Sequence, residues 1–157
     1  MKTRLLVIVG SVAVAGGVFA GTAAGNRPER FVEEVAGGKV ICGETTLTAT
    51  AGTAVGRQHV HRLRSGLYRV IFRETLRRIR ATDGETTYRA VGSLGGNFLT
   101  RDPDNDEAIV SGFFHVRINF VGPRGLFGRI DFSERLKRNG ASSETNRGRC
   151  EFADEEE

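Results

Sequence analysis

Imidazole, carboxyl and guanidinium side chains are where this chain could do chemistry. His59-x-His61 on an extended strand puts two imidazoles on one face, a spacing that metal sites use. His115 lies in a second alternating segment. If its face neighbours the first pair, three imidazoles could meet at zinc or copper. Arg57, Arg62 and Arg64 surround the pair, however, and dense positive charge repels a cation. The three histidines are therefore weak metal candidates, and no metal or other cofactor is assigned. Glu74 falls on the apolar face of its segment. Desolvation there raises a carboxyl pKa and would suit a general acid or base. The same placement fits a strand leaving the core, or a carboxylate paired with an arginine. The loop Asp102-Pro103-Asp104-Asn105-Asp106-Glu107 has three alternating carboxylates, as a calcium loop does. It lacks Gly at the sixth position and has Phe113 at the twelfth, so it reads as a solvated hairpin loop.

The arginines are more unusual. Twenty Arg stand against three Lys, and from Arg57 to Arg80 eight Arg face one acid, leaving that segment at +7. Arg57, Arg69, Arg73 and Arg77 share one parity and could form a stripe that binds polyanions, phosphate head groups or acidic sugars. The alternative is cross-strand pairing with Asp131, Glu134 and the acidic loops. No aromatic platform is interleaved with them and the chain has no Trp, which weighs against nucleic acid. GxSxG, HExxH, GxxxxGK[ST] and CxxC are all missing, so no catalytic residue is assigned.

Strands must position these groups. Val110, Phe114, Val116, Ile118 and Phe120 alternate with Ser111, His115, Arg117 and Asn119. Leu126, Ile130, Phe132 and Leu136 alternate with Arg129, Asp131, Ser133, Arg135 and Lys137. Gly122-Pro123-Arg124-Gly125 joins the two as a hairpin. Upstream, Tyr68, Val70, Phe72 and Leu76 share a face, and Arg69, Ile71, Arg73 and Arg77 share the other. Ile79 is then apolar on the wrong parity, which predicts a bulge near Arg77-Arg78. Asp83-Gly84 marks a turn, Thr86 to Val91 a strand, and Ser93 to Asn97 a break in it. Lys39–Cys42, Thr45–Thr50 and Ala54–Leu63 read as weaker strands separated by Gly43 and Gly52. Residues 148–152 read as a last short strand, and Phe31 to Val35 as one helical turn at most.

The 157 residues suffice for one domain, and 39% hydrophobic with 27% charged residues is a globular composition. Lys2 and Arg4 precede an apolar run from Leu5 to Ala20 with small residues at its exit, the pattern of a secretory signal. The domain reading is a signal peptide over residues 1–24, a short extension over 25–38, the β domain over 39–152 and an acidic tail over 153–157. An uncleaved membrane anchor is the alternative for the first segment. Removing it leaves 21 basic against 19 acidic residues, a charge of +2. In an oxidising compartment Cys42 and Cys150 are most simply a disulfide.

The stretch Arg57 to Phe98, with HVHRLRSGLYRVIF, IRATDGETTYRAVGS and GGNF, resembles a group of small exported actinobacterial proteins. In that group a signal peptide precedes one β-rich domain with a Cys near each end. Cys42, Asp83-Gly84, Tyr88 and Cys150 match that layout. The resemblance implies secretion and a β fold, and carries over no site.

The expected fold is all-β: a small antiparallel barrel of seven or eight strands, with a β-sandwich as the alternative. Its lumen would be lined by Tyr68, Val70, Phe72, Glu74, Phe114, Val116, Ile118, Phe120, Ile130 and Phe132. The functional expectation is an exported binding or structural module, with a small apolar ligand or an anionic surface as partner. The alternatives are a lumen that holds a small apolar ligand and, less favoured, an isomerase or hydrolase using Glu74.

Overall fold

Alternating apolar side chains and glycine turns become antiparallel strands of a single sheet. The structure, a computed structural model, describes residues 28–153. The expected signal segment over 1–24, the first residues of the 25–38 extension and the tail from Asp154 lie outside the described residues.

The strands are β1 (Glu29–Glu34), β2 (Lys39–Cys42), β3 (Thr45–Arg62), β4 (Tyr68–Thr82), β5 (Thr87–Thr100), β6 (Ile109–Gly122), β7 (Gly125–Leu136), β8 (Ser142–Asn146) and β9 (Cys150–Phe152). A single turn of 3-10 helix, Asp106–Ala108, precedes β6. The sheet runs β8-β7-β6-β5-β4-β3-β2-β9, with β1 also on β3. It curls into a nearly closed barrel of eight strands, as expected from the sequence. The count is eight because β1 and β2 share one register along β3: Glu34 opposes Thr53 and Lys39 opposes Thr48. They act as one interrupted strand. The expected helical turn at Phe31 to Val35 is instead β1, because pairing with β3 satisfies its backbone.

Closure is made at one end. Cys42 and Cys150 oppose each other on β2 and β9 and are joined by a disulfide, with Cα atoms 4.1 Å apart. Gly128 on β7 lies beneath the sulfurs, where a Cβ would overlap Cys150 Sγ. The Arg147 amide donates to the Asp131 carbonyl at 2.8 Å, which carries the chain from β8 along the edge of β7 into β9. At the other end β1 pairs with β3 and β8 with β7. No ladder joins β1 to β8 among the described residues, which leaves a seam between them.

A belt of irregularities crosses neighbouring strands. Register shifts fall between Ala49 and Thr53 on β3 and between Thr75 and Ile79 on β4. Arg78 has φ 55°, so the bulge sits where the parity of Ile79 requires it. Inward positions switch parity across this belt: Leu47 and Ala54 are both buried on β3, as are Glu74 and Ile79 on β4. The core follows the inward face, with Leu47, Tyr88, Leu94, Phe98, Phe114, Val116, Ile118, Phe120 and Ile130 all buried.

Three local expectations are corrected. Thr45 to Arg62 is one strand, not two, with Gly52 inside its bulges. β5 runs unbroken through Ser93 to Asn97. Its glycines make room: a Cβ on Gly96 would press on the Phe72 and Phe98 rings at 2.8 and 2.6 Å. Leu126 is 66% exposed rather than in the core, because the shift between Phe120 and Val121 pairings turns it outward. Phe127 packs instead, its ring 4.6 Å from that of Tyr88.

Candidate functional site

The inner face of the open half gathers carboxyls and phenylalanines. On β3 the inward residues are Ala54 and Gly56, which leave almost no bulk between β1 and β4. Phe31 on β1 occupies the space over Gly56, where any Cβ would overlap its ring. Glu33 opposes Ala54, and Glu74 opposes Gly56 from the other side. Two carboxyls thus approach across a strip of small residues. Glu74 is 7% exposed, and burial pushes its pKa up to about 7, with Glu33 adding repulsion. Burial also raises Glu33. A third carboxyl, Glu134 on β7, is equally buried, and its Oε2 has no hydrogen-bond partner. Burial raises it, and Glu144 directly opposite on β8 adds to the effect.

Between these acids lie stacked rings. Phe72 lies 5.9 Å from Phe98 and 6.1 Å from Phe114, and Phe114 lies 6.5 Å from Phe132. Of the expected lumen residues, Glu74, Phe114, Val116, Ile118, Phe120 and Ile130 are buried. Tyr68, Val70, Phe72 and Phe132 are half-buried. Phe31, Glu33, Leu94, Phe98 and Glu134 belong to the same surface. The alternation around Leu94 and Phe98 signals them, hidden by the glycines between; Glu134 shared a parity with Ile130 and Phe132 all along.

The outer face has the opposite charge. Arg30, Arg57 and Arg73 stand in one register row across β1, β3 and β4. Arg69, Ile71, Arg73, Thr75 and Arg77 follow one another along the outside of β4. The expected carboxylate partners are elsewhere. Asp131 pairs with Arg117 at 3.4 Å and Arg129 at 3.8 Å, and Glu134 points inward. No ion pair reaches Arg57, Arg69, Arg73 or Arg77 among the described residues. Val32, Ile71 and Phe113 are large exposed apolar side chains on this same face.

His59 and His61 share the outer face of β3, with ring centroids 6.4 Å apart. His115 is on β6, beyond β4 and β5, where it stacks on Phe113 at 5.7 Å. The three imidazoles do not converge. Among the described residues no group of three or more His, Cys, Asp or Glu could hold a metal ion. In the acidic loop, the Asp102 and Asn105 side chains accept from the amides of Asp104 and Glu107 at 3.0 Å each, holding the turn itself.

Chemically, the inner face can store a proton or meet a cation, and the outer face can meet an anion. No protein-family model, no curated protein and no solved structure matches this chain, so a functional reading has to come from the two faces of its own sheet.

Proposed function

We propose that the protein is an exported binding module that docks onto an anionic lipid surface through the outside of β3 and β4. One observation carries the reading: Arg57, Arg69, Arg73 and Arg77 share an outer face, and no ion pair reaches them among the described residues. Like charges aligned across a sheet weaken it unless something neutralises them. Each basic side chain near an anionic bilayer contributes about 1 kcal/mol. Ile71, 43% exposed between Arg69 and Arg73, adds an apolar contact of the kind that interfacial proteins press into the head-group layer. The line Arg69-Ile71-Arg73-Arg77 follows one strand, so it lies along the barrel wall and can meet a flat surface. The signal-like N-terminus and the disulfide support a location outside the cytoplasm.

Vesicle co-sedimentation tests this. The protein should pellet with phosphatidylglycerol vesicles, not with phosphatidylcholine vesicles, and salt should release it. The double variant Arg57→Glu, Arg73→Glu should lose at least about tenfold in apparent affinity, roughly 1.4 kcal/mol. Equal binding to both vesicle types, or retention of a free polyanion such as heparin or RNA in preference to vesicles, would overturn the lipid reading.

A further inference from the structure

The buried carboxyls of the inner face have no counter-charge beside them among the described residues. Every described Arg and Lys is exposed, whereas Glu74 and Glu134 are buried on the inner face with Glu33 half-buried beside them. A carboxylate taken out of water without a counter-charge is costly, and it resolves that cost by holding a proton or by meeting a cation. The chain supplies no cation inside. Glu74 makes no hydrogen bond or ion pair with any described residue, and the buried Oε2 of Glu134 is likewise unpartnered.

The surroundings narrow what would fit. The Phe72, Phe98, Phe114 and Phe132 rings form one connected aromatic cluster on this inner face, and aromatic rings attract an organic cation. A metal ion is a poorer match, since no three ligating groups come together among the described residues. The edges of β1 and β8 share no ladder among the described residues, which makes this seam the natural approach. Glu33 stands beside this seam on β1, and Glu134 lies one strand in from its β8 side.

We propose that the open half of the barrel is a binding site for a small aryl- or alkylammonium ion, its charge met by Glu74 and Glu33 and its apolar body by the phenylalanine cluster. This site is independent of the outer arginine face. The groups facing Glu74 are Glu29, Phe31 and Glu33 from β1, Gly56 and Gln58 from β3, and Leu94 from β5; of these, Glu29 and Glu33 are ionisable, and Glu29 is exposed. When the ammonium arrives, Glu74 gives its proton to solvent and remains as the carboxylate partner. Affinity therefore rises with pH.

The probes are 2-phenylethylammonium and its neutral counterpart 2-phenylethanol, titrated by calorimetry and by NMR into the disulfide-bonded protein. The ammonium ion should bind at least about tenfold more tightly at pH 8 than at pH 5.5, and at pH 8 at least about tenfold more tightly than the alcohol. Glu74→Gln should abolish both differences; its thermal unfolding curve shows whether it is folded. Arg57→Glu should leave them unchanged. Comparable binding of alcohol and ammonium at every pH would show a merely apolar lumen and overturn the proposal. So would an unaltered affinity in folded Glu74→Gln, or no shift of the Phe72 and Phe114 resonances at millimolar ammonium.

Discussion

Glu74 makes folding depend on pH in a direction opposite to most surface carboxylates. Its folded pKa is about 7, against an ordinary 4.5, because burial and then Glu33 disfavour the charge. The folded chain keeps a proton that the unfolded chain releases, so the stabilisation is complete below the ordinary value and disappears as pH rises through 7. Unfolding in urea should give a free energy lower at pH 8 than at pH 5, by up to about 3 kcal/mol from this group. Glu74→Gln should remove most of that slope and raise stability at pH 8. A wild-type curve flat between pH 5 and 8 would contradict the assignment. Asp83 works in the other direction. Its carboxylate accepts from the amides of Thr86 at 2.7 Å and Glu85 at 2.9 Å and from the Tyr88 hydroxyl at 2.9 Å, which holds it below its ordinary range. What it contributes is present above that range and lost as pH falls, so these two groups together favour weak acid.

Strand β1 is held along one edge only, and its best anchor is the Phe31 ring over Gly56. Gly56→Val should expel that ring. Backbone amides of β1 should then exchange with deuterium at least about tenfold faster, while β2, tied to β9 and the disulfide, keeps its protection. Uniform loss across both would show that β1 and β2 open as one. How far these elements can be read from the sequence follows from which force sets them. Strands β4, β6 and β7 bury one face against solvent on the other, so alternation marks them, and the misplaced parity of Ile79 locates the Arg78 bulge. Strand β8 is exposed throughout, so Ser142 to Asn146 carry no hydrophobic signal at all. In β5, Gly95 and Gly96 look like a loop because propensity is local, whereas the Phe72 and Phe98 rings that demand Gly96 come from distant or folded-back positions. The site divides in the same way. Glu74 on an apolar face is legible from parity. Its approach to Glu33 is not, because β1 and β4 meet only across the small residues of β3.

For the whole molecule, one sheet places its strand arginines outside and three carboxyls, Glu33, Glu74 and Glu134, inside. One covalent bond holds its ends. The disulfide spans 108 residues; chain entropy sets a ceiling of about 4.7 kcal/mol for so long a loop, and about 2–4 kcal/mol is typical of such bonds. Cys42→Ser with Cys150→Ser should lower the unfolding free energy by that order, measured in urea, and the intact protein should offer no alkylatable thiol until a reductant is added. A double serine variant as stable as the parent would mean that the β2–β9 ladder closes the barrel unaided. The position of that bond also gives the ring a direction of opening. Riveted at one rim and without a ladder at the other, it would splay like a clothes-peg, widening between β1 and β8 while the sulfur rim stays shut. Whatever enters such a peg must leave by the same jaw, so its residence time is set by how fast that single jaw swings.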